Sequence, residues 1–153
     1  MKLPENIGRT EIIIAVLVVV VLAGVAIPLV TYLNGRSDQE EAKAVVEAIR
    51  QAELARYKAF PADGFVTTDW APREVDALTA DATQWKSNDG FTELGWSPSQ
   101  LGLAWVRGAY KVKRTKEGFK VLGRIDSDGD GTPVEWEATH DTPATRLSDP
   151  SIH

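Results

Sequence analysis

Ile12 to Leu33 is a run of 22 residues without a charge, and no other feature of the chain limits its fold so strongly. As a helix it reaches ~33 Å at ~1.5 Å per residue, close to a bilayer core of ~30 Å. A buried core helix rarely needs this length with no polar face. It predicts a single membrane-spanning helix within residues 9–34, leaving residues 35–153 as a separate outer domain. A cleaved secretory signal is shorter and ends in a small-residue cleavage site. Here a pattern of that kind, Ala23-Gly24-Val25-Ala26, lies inside the run, and the run itself is too long. Lys2 and Arg9 precede the run, whereas Arg36 and Lys43 follow it among Asp38, Glu40 and Glu41. The balance of positive charges places the N-terminus in the cytoplasm and the outer domain on the far side. The expected location is the inner (cytoplasmic) membrane.

Two residues are unusual for a plain anchor. Glu11 stands at the very start of the run, where the helix dipole favours a carboxylate. Pro28 stands well inside it and removes one helical hydrogen bond, a loss that membrane helices tolerate as a kink.

The remaining 119 residues are enough for one modest core, with Trp70, Trp85, Trp96, Trp105 and Trp136 available to fill it. The chain carries 17 Lys+Arg against 22 Asp+Glu, a net charge of −5, with no basic stripe. Nucleic-acid binding through phosphate neutralisation is therefore not expected. There is no cysteine, so disulfides, thiolate zinc sites and redox motifs are excluded.

After the Asn34-Gly35 break, Ser37-Asp38-Gln39-Glu40 reads as a capping box. Ala42, Val45, Ile49, Ala52 and Ala55 then recur at helical spacing, with Glu47, Arg50, Glu53 and Arg56 on the other faces. The pattern predicts an amphipathic helix over residues 37–60. Residues 61–105 are rich in Gly, Pro, Asp, Ser and Trp and show no sustained period, beyond one helical turn near 73–78. They read as a long connection. Alternation then predicts strands at 109–114, 119–125 and 134–139, an antiparallel meander over residues 109–140. The tail, residues 141–153, has Pro143 and Pro150 and reads as irregular, pinned by Leu147. The expected fold class is α+β, a long N-terminal helix packed on a small antiparallel β-sheet.

The segment joining the second and third strands reads Asp126-Ser127-Asp128-Gly129-Asp130-Gly131-Thr132-Pro133-Val134-Glu135-Trp136-Glu137. It fits the pattern D-x-D-x-D-G, five residues, then Glu, of calcium loops. Hard cations want six to eight oxygens. Asp126, Asp128 and Asp130 supply carboxylates, Gly131 allows a sharp bend, Thr132 offers its carbonyl, and Glu137 (or Glu135) is the expected closing ligand. The flanks are strands, so this is not a helix-loop-helix hand. The plain alternative is an acidic hairpin turn, for which Asp-Gly is favoured. Three alternating aspartates exceed what a turn needs, and Ca2+ is the expected cofactor.

Glu11, the sixteen mainly apolar residues 12–27, Pro28, Tyr32, Ser37 and the Ala-rich stretch Glu41–Ile49 together resemble the start of a type IV pilin or a type II secretion pseudopilin. Phe91-Thr92-Glu93-Leu94-Gly95-Trp96-Ser97-Pro98 resembles the segment leading into the pilin sheet. The resemblance is strong over residues 8–60 and looser to about 140. It implies a pilin-like fold and self-assembly into a homopolymeric or mixed filament, extracellular or periplasmic, through the apolar helix. It also implies partners in a prepilin peptidase and the assembly machinery, and calcium in a loop of the sheet region. Residues 1–8 correspond to the leader, with Gly8-Arg9 as the candidate cleavage point. The family places its glutamate five residues into the mature chain, whereas Glu11 lies three residues after Gly8, and Arg9 stands where an apolar, methylated residue is usual. In the family that glutamate pairs with a neighbour's free amine; Arg9 of a neighbouring copy would be the substitute here. A carboxylate in an apolar bundle needs such a partner.

No nucleophile elbow, phosphate loop or His/carboxylate metal motif occurs, and the only histidines are His140 and His153. An enzyme is not expected. A filament subunit is the first reading. The second is a single-pass, calcium-binding interaction module that does not polymerise.

Overall fold

The computed structural model describes residues 38–149. The predicted anchor, with Gly8, Arg9, Glu11, Pro28 and Tyr32, lies outside the described residues, as do Ser37 and residues 150–153. Among the described residues no helix is long and apolar enough to cross a membrane.

Helix α1 spans Asp38–Ala59, 22 residues, and ends within one residue of the expected C-terminal bound. Its first turn carries Asp38, Glu40 and Glu41 and its last Arg56 and Lys58, the signs that complement the helix dipole. Those end charges contribute about 0.3–1 kcal/mol each. Val45, Val46 and Ile49 are fully buried, and burial of such a side chain contributes about 1.5–3 kcal/mol. Packing on the sheet, not end charge, holds this helix.

The chain then runs through a 3-10 turn (Pro61–Asp63), a second (Val75–Ala77), strand β1 (Thr83–Gln84), helix α2 (Asp89–Leu94), a third 3-10 turn (Pro98–Leu101) and strand β2 (Trp105–Val106). Strands β3 (Ala109–Thr115), β4 (Gly118–Ile125), β5 (Val134–Thr139) and β6 (Thr145–Arg146) follow. They form one four-stranded antiparallel sheet in the order β3-β4-β5-β6; β1 and β2 make a separate two-stranded ribbon. The domain is α+β with antiparallel sheets.

Alternation decides which face of the sheet meets α1. Phe119, Val121 and Ile125 of β4 are fully buried, whereas Lys120, Leu122 and Arg124 between them are half-buried on the opposite face. At Gly123 the helix comes so close that an added Cβ would lie 2.5 Å from the Val46 Cγ2. Glycine is needed there for approach, not for a turn.

The long connection is more ordered than its composition suggests. Asn88 caps α2 by accepting from the Phe91 N–H at 3.0 Å, and Gly95 ends it in the left-handed conformation at φ 69°. This short helix delivers Phe91 to a cluster with Trp85 and Trp96, with ring centroids 5.2 and 6.0 Å from it. Earlier in the same connection, Thr68 donates its N–H to the Val112 carbonyl at 3.0 Å, and Ala71 and Tyr110 exchange N–H···O bonds at 3.0 and 2.8 Å. Residues 66–71 therefore cover the outer edge of β3.

Two expectations need correction. The tail is not irregular throughout, because Thr145 and Arg146 pair with Glu137 and Trp136 as β6. Leu147 is 55% exposed, and what pins this stretch is its N–H, donated to the Glu135 carbonyl at 2.9 Å. Nor do Arg50 and Glu53 occupy solvent faces of α1. They are 9% and 0% exposed, because the tail and residues 60–66 flank the helix on sides that periodicity alone assigns to water.

Candidate metal centre

Strands β4 and β5 diverge after the Ile125–Val134 pair, and residues 126–133 form the connection. Ile125 and Val134 bury against Ala42 of α1, which fixes the base of the loop near the start of that helix. Asp126 follows directly and is only 2% exposed. Its Oδ1 accepts the Gly129 N–H at 2.9 Å and its Oδ2 the Gly131 N–H at 3.0 Å. Asp128 Oδ1 accepts from Asp130 N at 3.3 Å, and Asp130 Oδ1 from Thr132 N at 2.7 Å. Each aspartate thus closes a local turn that curls the backbone around the carboxylates. Gly131 has φ +84°, a conformation open to glycine and costly for a residue with a Cβ. Pro133 sits immediately before β5, where a missing N–H costs the ladder nothing.

The three carboxylates converge. One oxygen from each of Asp126, Asp128 and Asp130 lies within 4.8 Å of the others. Oxygens on a calcium ion sit ~2.4 Å from it, so two of them are at most ~4.8 Å apart. The spacing fits one hard cation. Each aspartate oxygen engaged by a single N–H retains a lone pair, so the turn bonds do not compete with an ion. Among the described residues no Lys or Arg forms a salt bridge with any of the three. Ser127 Oγ is buried without a hydrogen-bond partner among the described residues. The donor set is all oxygen, which suits calcium or magnesium rather than a thiolate or imidazole metal.

The expected closing ligand is placed elsewhere. Glu137 lies within β5, and its carboxylate takes both oxygens to Lys120 Nζ at 3.1 Å. Glu135 is held by Arg124 at 2.6 Å. The cause is the two-residue period of β5: both glutamates project from the face opposite α1, alongside the Lys120–Leu122–Arg124 row of β4. Sequence spacing brings Asp126, Asp128 and Asp130 together and leaves Glu137 out. Thr132 enters the site through its N–H on Asp130.

His140 follows β5 and pairs with Asp141 at 2.8 Å, a strand-end position. An open polar concavity of about 480 Å³ includes Thr67, Thr68, Asp69, Asn88 and Glu93. Burial holds Glu41 above the usual carboxylate range against the opposing Arg107 N–H, and burial also pushes Glu53 up to about 7. Neither residue lines the concavity.

No family model, curated protein or solved structure matches the chain.

Proposed function

We propose that the chain is a membrane-anchored structural subunit of the type IV pilin or type II secretion pseudopilin kind, assembling through its apolar N-terminal segment. The observation that carries this is one of order along the chain. A charge-free run of 22 residues ends at Leu33, and α1, Asp38–Ala59, lies along a four-stranded antiparallel meander. An anchor followed so closely by a helix seated on a sheet suits a subunit whose contacts with its copies run through its helices. Glu11 and Pro28 stand at the spacing of that family, and Glu11 pairs with a cation of a neighbouring copy in this reading. The loop of Asp126, Asp128 and Asp130 takes a calcium ion, with water completing the shell where Glu137 does not reach, and stabilises the domain by binding its folded form.

The test is the intact mass of the native protein recovered from membranes and from sheared surface material. Loss of residues 1–8 together with recovery in the sheared fraction is the expected result. A full-length mass found only in membranes overturns the filament assignment and leaves a solitary anchored module.

A further inference from the structure

Residues 60–66 cross the C-terminal end of α1 and are tied down by three side chains, two from α1 and one from β3. Glu53 of α1 accepts the Val66 N–H on Oε1. Arg56, one turn later, donates to the Gly64 carbonyl at 2.9 Å. Arg114 of β3 donates to the Phe65 carbonyl at 2.9 Å. Tyr57 stacks on Phe65 with ring centroids 4.3 Å apart, and Phe65 in turn meets Phe119 of the core at 5.0 Å. Of these groups Glu53 is the anomaly. It is 0% exposed, and its Oε2 has no hydrogen-bond partner among the described residues.

We propose that Glu53 is a protonation-operated clasp: neutral, it seals residues 60–66 against α1, and ionised, it releases them. The neutral acid accepts the Val66 N–H and places no charge in a dry site. The carboxylate keeps that bond but leaves a charged Oε2 facing no donor, a cost that opening to water removes. Neutralisation by neighbours falls short because the nearby cations are engaged elsewhere. Arg56 is divided among Gly64, Glu93 at 2.9 Å and Asp63 at 3.8 Å, and Arg114 is held by Phe65. The charged groups acting on Glu53 are thus Arg56 on α1, Arg114 on β3 and Glu93 on α2, with Asp63 in the segment itself facing Arg56. Glu93 adds repulsion. Burial is the larger effect and raises the folded-state value to about 7 from the ordinary 4.5. The clasp is therefore closed in acid and opens as pH rises through neutrality.

Hydrogen exchange of the full chain in detergent micelles tests this, read by mass spectrometry on the peptide covering residues 60–66 and corrected for intrinsic exchange. Between about pH 5 and about pH 8, protection of this segment is expected to fall on the order of a hundredfold. Glu53→Gln is expected to retain its acid-state protection at the higher pH. Equal protection of the wild-type segment at both pH values overturns the proposal. So does a Glu53→Gln variant that loses protection as the wild type does. If that variant does not fold, infrared titration of the wild type decides. A buried protonated-carboxyl band persisting to near neutrality supports the clasp, and its loss with the exposed carboxylates refutes it.

Discussion

Glu47 and Arg50, one turn apart on α1 and joined by a 3.0 Å ion pair, grip the C-terminal part of the chain at two points. Arg50 donates to the carbonyls of Thr139 at 2.6 Å and His140 at 3.0 Å, while Glu47 Oε2 accepts the Ala144 N–H at 2.9 Å. The pair spans both sides of the turn between β5 and β6. It ties an otherwise short strand to a helix some ninety residues earlier.

Arg50→Ala is accordingly expected to cost about 2–4 kcal/mol, because it removes two charged hydrogen bonds from a buried side chain to half-buried carbonyls. Arg50→Lys recovers only part of this, since an ammonium lacks the fork that reaches two carbonyls together. Denaturant unfolding of the full chain in detergent measures both; a loss below about 0.5 kcal/mol for the alanine variant would contradict the grip.

Calcium is expected to raise the melting temperature and a chelator to reverse the rise. Saturation at a hundredfold excess over Kd corresponds to about 2.7 kcal/mol. Asp128→Ala removes the ion effect with little change in the ion-free protein, because Asp128 is exposed and closes one long turn bond. Asp126→Ala destabilises the protein even without the ion, since two backbone N–H groups lose their acceptor. A melting temperature indifferent to both calcium and chelator would mark the loop as a turn and nothing more.

Gly123→Ala is expected to destabilise by about 1–3 kcal/mol through overpacking against Val46. Val46→Ala in the same chain should restore much of that loss despite deleting buried carbon on its own account. Additive penalties in the double-mutant cycle would show that the two positions do not meet.

The pH dependence of global stability follows from Glu53. Its folded-state value, about 7, lies above the unfolded value of 4.5. The folded state therefore holds its proton more tightly, and the stabilising contribution is fully present below pH 4.5 and lost as pH rises to about 7. The total loss is on the order of 3 kcal/mol, at about 1.36 kcal/mol per unit. The difference curve between wild type and Glu53→Gln isolates it from the other carboxylates. A flat difference would mean that Glu53 ionises in the fold as it does in water.

The sheet was legible because its strands alternate. Ala109–Thr115, Gly118–Ile125 and Val134–Thr139 fall where the pattern puts them, and α1 follows from a regular helical repeat. Helix α2 left only its punctuation, Asn88 before and Gly95 after, because 6 residues are too few to show a period. Strand β6 left less still, being 2 residues that begin two positions after Pro143. Convergence of the three aspartates was local and therefore readable. The loss of Glu137 to Lys120 was not, because it depends on which face of β5 that residue occupies and what stands opposite. The burial of Arg50 and Glu53 was hidden for the same reason: partners 89 and 13 residues away decide it.

The way residues 66–71 run beside β3 has a bearing on crowding. Thr68 and Ala71 already occupy the outward hydrogen-bonding groups of Val112 and Tyr110 in the middle of β3, and at the other margin β6 is only 2 residues long. Neither margin gives a foreign strand a long template on which to nucleate. Copies of this domain held shoulder to shoulder, as a filament would hold them, are protected from fusing through their sheets, and their association is left to surfaces that can be made and unmade.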